Sequence, residues 1–129
     1  MTETDLSQLS DEHRDFFQRF QSFWADPSGP RVAEIIAPDA TITFTGQGTF
    51  SGKEYVEVMA GLLDAMEGLE VTPLDCAGNG ERLYIYWRTS ALIGGERREY
   101  NGVDRFRIKN GMAIEEHVVF DPTVLIVED

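Results

Sequence analysis

The chain has 129 residues, the length of about one domain, and 42% of them are hydrophobic, which is enough for a real core. Its net charge of −12 argues against binding to nucleic acid or to an anionic membrane surface, because both reward Lys and Arg. The single cysteine, Cys76, excludes an intramolecular disulfide and fits a reducing compartment.

The N-terminal region is polar and acidic, and residues 1–9 are predicted to be a loose lead-in rather than a secretory signal. No apolar run approaches the roughly 20 residues of a membrane span. We therefore expect a cytoplasmic protein without a membrane segment. The whole chain, 1–129, is predicted to form a single domain in which residues 122–129 are a C-terminal tail.

Three helices are predicted in the N-terminal half. Ser10 can cap the first helix, and a shorter second helix follows a break at 25–30 and is stopped by Pro38. The third begins at 51–54, whose spacing fits a capping box, and ends near Gly68. The first helix carries aromatic residues at helical spacing, either a core stripe or the lining of a pocket: Phe16, Phe17, Phe20, Phe23 and Trp24.

The rest of the chain is predicted to form strands. Residues 40–45 alternate between threonine and apolar side chains, and strands at 69–77 and 83–92 follow the third helix. The last two strands form a hairpin around Asn110-Gly111, because both central residues of a type I′ turn need a positive φ. This order is typical of an α+β fold with helices against one face of a strongly curved antiparallel sheet.

The long strand 83–92 has two distinct faces. Trp87 and Thr89 are predicted to face the interior, whereas Tyr84 and Tyr86 face the other way. Two tyrosines on an outer face are too aromatic for free solvent and predict a subunit interface. The alternative is that the tail at 124–127 covers them.

Asp104 lies on a mostly apolar strand, and it shares its parity with Phe106 and Ile108. We therefore expect the Asp104 side chain to point into the interior, where burial raises the pKa of a carboxyl group. It could donate a hydrogen bond to a ligand carbonyl, accept a proton, or simply be a buried structural residue.

The position of His117 is open. A two-residue turn without a bulge places His117 opposite Asp104, which would make a workable general base. The alternation of Ile114, Val118 and Phe120 instead leaves His117 on the outer face, and a β-bulge would move Val118 inward.

The order of elements, with PDATITFTGQGTFSGKEYV and GVDRFRIKNGMAIEEHVVFD in place, resembles the nuclear transport factor 2-like superfamily and its SnoaL-like branch over residues 10–121. The resemblance implies a cone in which a curved sheet surrounds a pocket closed by helices, often dimerising through the outer face of the sheet. Relatives include ketosteroid isomerases, limonene epoxide hydrolases, polyketide cyclases and proteins that only bind or assemble, so the fold leaves the function open.

The active sites that this resemblance implies are mostly missing. The base of a ketosteroid isomerase falls at Phe44, and only its second oxyanion donor is kept, at Asp104. The Asp-Arg-Asp set of an epoxide hydrolase falls at Trp87, Thr89 and Val118, which argues against epoxide hydrolysis. The acid/base Asp of the cyclases also falls near Val118.

We therefore expect a homodimer that binds a small apolar ligand and needs no cofactor and no metal. The predicted pocket is lined by Phe20, Trp24, Phe44, Tyr55, Met59, Trp87 and Phe120. An enzymatic version would be an isomerase or cyclase that transfers a proton on an apolar carbonyl or hydroxyl compound, using Asp104 or the Asp104/His117 pair. The alternative is a non-catalytic ligand-binding or dimerisation module.

Overall fold

The computed structural model describes residues 6–127, so parts of the predicted lead-in (1–9) and tail (122–129) lie outside the described residues. The elements in chain order are α1 (Asp11–Ala25), a 3₁₀ helix (Pro30–Glu34), β1 (Ile36–Phe44), β2 (Gly48–Ser51), α2 (Gly52–Ala65), β3 (Glu70–Asn79), β4 (Arg82–Ile93), β5 (Glu96–Lys109), β6 (Met112–Val119) and a second 3₁₀ helix (Pro122–Leu125). None of the helices within residues 6–127 has the length and hydropathy that a membrane span requires.

Both α-helices begin at their predicted caps. The Ser10 side chain accepts a hydrogen bond from the backbone N–H of His13 at the start of α1. Ser51 and Glu54 form a reciprocal capping box at the start of α2, with donor–acceptor distances of 3.0 and 2.9 Å. These caps satisfy backbone N–H groups that have no partner inside the helix, which is why the local sequence predicts them well.

The sheet is mixed, and in this respect the prediction of an antiparallel sheet was wrong. The strand order is β2-β1-β6-β5-β4-β3, and every neighbouring pair is antiparallel except β1 and β6, which run parallel. The chain leaves β1, passes through β2, α2 and three further strands, and returns with β6 beside β1 in the same direction. Residues 48–51, where no strand was predicted, form the short edge strand β2.

The predicted second helix is a five-residue 3₁₀ helix, and Pro38 lies inside β1 instead of ending a helix. The pairing of β1 with β6 jumps from Ile36 to Thr41, and Pro38 lies in the skipped segment. Proline has no N–H to give to a ladder, so an interruption of the pairing is where a strand can accept it.

The helix α1 packs its aromatic face on the sheet. Phe16 and Phe20 contact Phe106 edge to face, with ring centroids 4.8 and 5.8 Å apart. Each fully buried Phe ring contributes roughly 1.5–3 kcal/mol relative to an exposed one, so this cluster dominates the core. The aromatic stripe of α1 serves both as part of the core and as part of a cavity wall. Its N-terminal rings fill the core, and Trp24 reaches the cavity described below.

Both ends of the described chain pack on this core. Leu9 is buried and Leu6 packs against the same cluster, so the lead-in is packed from residue 6 onward. Val124 and Leu125 also pack on the core, and Arg98 Nη1 donates to two backbone carbonyls of their segment at 2.7 and 2.6 Å. Because Arg98 shares the inward parity of β5, the tail lies on the inner side of the sheet and leaves the outer face uncovered.

Candidate functional site

A cavity lies between the helices and the inner face of the sheet. It leaves about 60 Å³ for the centres of water-sized groups. One buried water needs about 10–15 Å³ of such space, so the cavity has room for roughly four to six groups of that size. All seven residues that the sequence predicted for a pocket lie in its wall: Phe20, Trp24, Phe44, Tyr55, Met59, Trp87 and Phe120.

Aromatic rings form one side of this wall. Phe120 is central, since its ring stacks on Tyr100 at 5.5 Å and meets Phe44 edge to face at 5.7 Å. Trp87 lies 6.3 Å from Phe120 and directly over Gly102, its cross-strand partner. A Cβ atom at Gly102 would lie 2.3 Å from the indole, so only glycine leaves room for this ring.

Two carboxyl groups face this apolar space. Asp104 on β5 and Glu116 on β6 are each only 5% exposed and both lie in the cavity wall. Asp104 Oδ1 is completely buried and has no hydrogen-bond partner among residues 6–127. The described residues of the wall include no Lys, Arg or His that could neutralise the pair.

Burial raises the pKa of both carboxyl groups. Desolvation raises the pKa of Asp104 from 3.8 to about 7, although hydrogen bonds with the Glu116 carboxyl and the Trp87 indole lower it in part. Desolvation, followed by repulsion from Asp104, raises the pKa of Glu116 well above its ordinary value. The pair therefore keeps its protons to a higher pH than exposed carboxyl groups do.

Tyr55 brings a third polar group to the pair. Desolvation, followed by the charges of Glu116 and Asp104, raises the pKa of the Tyr55 hydroxyl well above 10. This hydroxyl stays protonated at every physiological pH and can donate a hydrogen bond to a ligand. Within residues 6–127 no three His, Cys, Asp or Glu side chains are grouped as metal ligands.

A β-bulge decides which side chains of β6 reach the cavity. The pairing of β5 with β6 shifts by one residue shortly after the hairpin turn. Beyond the shift, Asp104 pairs with Val118 and Arg105 pairs with His117. His117 therefore lies on the outer face, and the Asp104/His117 pair that an unbulged hairpin predicts does not form.

The amino-acid sequence matches the family model of the SnoaL-like domain over residues 11–117. The chain belongs to the SnoaL-like family. The matched region contains both carboxyl groups of the cavity, Asp104 and Glu116. No curated protein sequence matches the chain.

Solved structures with the same fold support the cone that the resemblance implied. They include a protein assigned as a SnoaL-like polyketide cyclase from Jannaschia sp. CCS1, with 17% identity, coverage of 94% of this chain and 93% of that chain, and a TM-score of 0.78. IdmH from Streptomyces antibioticus, assigned as a polyketide cyclase, has 14% identity, coverage of 90% and 96%, and a TM-score of 0.77. A ketosteroid isomerase-like protein from Catenulispora acidiphila DSM 44928, in complex with trimethylamine, has 16% identity, coverage of 85% and 88%, and a TM-score of 0.75. At these identities the similarity shows the fold alone.

Glu116 is the residue of this SnoaL-like cavity that the sequence analysis missed. It stands in a polar run with Glu115 and His117, which suggests a solvated segment. Glu115 does lie on the outer face, where it pairs with Arg105 at 2.6 Å. The signal that could have found Glu116 is its shared parity with the buried Val118.

A second, wider space of about 460 Å³ adjoins the cavity of the SnoaL-like domain. The two spaces share four lining side chains, Phe44, Leu62, Met66 and Leu125. The two spaces therefore lie next to each other, on the same group of apolar side chains.

Proposed function

We propose that this SnoaL-like protein binds a small, mostly apolar carbonyl or hydroxyl compound and transfers a proton on it through Asp104 and Glu116. The observation that carries the proposal is the unpartnered Oδ1 of Asp104 in the wall of an apolar cavity. Leaving such an atom buried and unpaired costs roughly 1–3 kcal/mol, which a ligand hydrogen bond would recover. Two neighbours in fold are assigned as polyketide cyclases, which agrees with a carbonyl ligand.

The pair supplies both halves of an enolisation. The protonated carboxyl group donates its proton to the ligand's carbonyl oxygen, while the other carboxylate takes a proton from the adjacent carbon. The electron pair of the broken C–H bond forms the C=C bond of the enol, and the π pair of the C=O bond takes up the donated proton on oxygen. In the reverse step the carbon regains a proton from one carboxyl group, the enol hydroxyl returns its proton to the other, and the pair is restored. A base with a pKa of about 7, as for Asp104, is suited to this work at neutral pH.

Exchange of the α-hydrogens of cyclopentanone in D2O tests the proton transfer. We expect the wild-type protein to accelerate the exchange, and Asp104→Asn and Glu116→Gln each to slow it about 100-fold, because each removes one half of the acid–base pair. Proton NMR follows the loss of the α-hydrogen signal. The control is Glu115→Gln, which removes the same charge from the outer face and should exchange like the wild type. Equal rates in all four proteins would refute the proposal.

A second candidate is a binding module without catalysis. It is favoured by Phe44, an apolar residue at the position where the ketosteroid isomerase resemblance expects the base. This candidate predicts that cyclopentanone quenches or shifts the tryptophan fluorescence, since Trp24 and Trp87 both line the cavity. It also predicts no hydrogen exchange above that of a protein-free sample, which separates it from the first candidate.

We also propose that the outer face of the sheet pairs with a second copy of the chain. Tyr84 and Tyr86 are each 42% exposed there, and Val119 is 45% exposed. The Tyr86 hydroxyl accepts a hydrogen bond of 2.6 Å from Asn101, so the ring is already held in place before binding. Ordered aromatic side chains are typical anchors of an interface.

Light scattering coupled to size exclusion tests this dimer. The wild-type protein should elute with the mass of two chains, and Tyr86→Arg should elute as a monomer, because it places a charge at the centre of the patch. The control is Ile126→Arg, which changes an equally exposed apolar residue of the tail, on the other side of the sheet, and should stay dimeric. A wild-type protein that elutes as a monomer at 100 μM would rule the dimer out, because the dissociation constant of a weak interface is on the order of this concentration.

A further inference from the structure

The charge of the cavity is unbalanced. Asp104 and Glu116 line it, and no described residue of the wall supplies a positive charge. A buried carboxylate is ordinarily paired with a cation or neutralised by a proton. Asp104 Oδ1 has neither a cation nor a hydrogen-bond donor among residues 6–127, so a cationic ligand would complete the site.

The aromatic side of the cavity suits such a cation. Trp87, Tyr100, Phe44 and Phe120 form one cluster of rings in the cavity wall, with Phe120 within 6.3 Å of each of the others. A cation over an aromatic face gains roughly 0.5–2 kcal/mol, and sets of rings of this kind recognise quaternary ammonium groups. A methylated ammonium head also needs no oriented hydrogen-bond acceptors, which matches a wall that is otherwise apolar.

The size of the cavity agrees with this head group. A trimethylammonium group has four heavy atoms, and the space holds roughly four to six water-sized groups. The substituent that carries the ammonium group would extend into the wider adjoining space past Leu62 and Met66.

We infer that the inner cavity also binds a small organic cation, a methylated ammonium head group held between the Asp104–Glu116 pair and the aromatic wall. This inference goes beyond the proposed function, because the cation is held by the negative charge of the pair and takes no part in proton transfer. The other titratable groups facing the pair are the hydroxyls of Tyr55 from α2 and Tyr100 from β5, both with raised pKa values. The residues that α1 and β1 place in the wall are uncharged. The carboxyl pair therefore controls the charge of the site.

Calorimetry with choline and its uncharged isostere 3,3-dimethylbutan-1-ol tests the inference on the full chain. At pH 8.5 choline should bind at least about tenfold more tightly than the isostere, since only choline gains the attraction of the pair and the rings. At pH 5.5 the preference should shrink towards onefold, because the pair is then protonated. A choline preference that is absent at pH 8.5 would overturn the inference.

Matched variants assign the preference to the pair. Asp104→Asn and Glu116→Gln should each reduce the choline preference at pH 8.5 about fivefold or more, whereas Glu115→Gln should retain it although it changes the net charge equally. A preference that survives in the double variant of Asp104 and Glu116 would show that the cation binds elsewhere. If a variant fails to fold, the change of the wild type's choline preference between pH 8.5 and 5.5 still tests the inference. Absence of ketone exchange would leave this result unaffected, so the two proposals fail separately.

Discussion

The folded protein should become less stable as the pH rises from 5 to 8, and Asp104→Asn should remove part of that loss. The pKa of Asp104 is raised from 3.8 to about 7, so the folded state binds this proton more tightly than the unfolded chain does. Stability is then fully present below the unfolded pKa and is lost as the pH rises through the folded pKa. About three units at 1.36 kcal/mol each set an upper limit of about 4 kcal/mol.

The direction of this effect is opposite to that of most carboxylates. Glu116 acts in the same direction as Asp104, because burial raises its pKa as well. Glu54 and Asp121 have lowered pKa values from local hydrogen bonds, so their contributions are lost only as the pH falls below their ordinary pKa values. Between pH 5 and 8 the stability therefore changes through the buried pair and not through Glu54 or Asp121.

Urea unfolding, followed by tryptophan fluorescence at several pH values, measures the effect. Asp104→Asn should exceed the wild-type stability slightly at pH 5 and increasingly towards pH 8, since the amide does not ionise in either state. Asp64→Asn makes the same change at an exposed position of α2 and should keep the wild-type slope. A wild-type stability that is constant or rises between pH 5 and 8 would mean that the pair is not desolvated.

Gly102→Ala should destabilise the protein by about 3 kcal/mol, the cost typical of severe overpacking in a core. It should also abolish ligand binding. The added Cβ atom would lie 2.3 and 2.5 Å from two indole atoms of Trp87 and 2.7 Å from the backbone oxygen of Val119. The indole is the part that can move, and its displacement would push it into the cavity. It would also move the indole away from Asp104, whose pKa it lowers.

Thermal unfolding and choline binding measure both effects in the same variant. Gly61→Ala is the matched control, because its Cβ atom meets nothing within 4 Å on α2 and should stabilise the helix by up to about 1 kcal/mol. Combining Gly102→Ala with Trp87→Phe should recover part of the lost stability, since the smaller ring relieves the contact. Wild-type stability and binding in Gly102→Ala alone would contradict this account of the wall.

Local signals in the sequence were reliable wherever a few adjacent residues determine the conformation. The Asn110-Gly111 turn has φ values of 55° and 78°, as a type I′ turn requires. The caps at Ser10 and Ser51 are formed for the same reason, since each satisfies a backbone N–H three residues ahead. The parity of β4, with Trp87 inside and Tyr86 outside, also follows from local alternation.

The parallel pairing of β1 with β6 was not predictable in the same way. These strands are far apart in sequence, and Thr43 pairs with His117 only because the whole sheet brings them together. No local propensity distinguishes a parallel from an antiparallel neighbour for so short a strand. The family resemblance supplied the cone, but the direction of each strand came from the tertiary structure.

The sequence alone determined the two α-helices and five of the six strands, the inward direction of Asp104 and the aromatic residues that surround it. Only the tertiary structure decided that Glu116, and not His117, is its neighbour. The reason is physical: a single bulge in β6 exchanges the two faces of the strand, and its position depends on how β6 packs against both β5 and β1. The pairing of two buried acids, and with it the chemistry proposed for the cavity, rests on that one-residue shift.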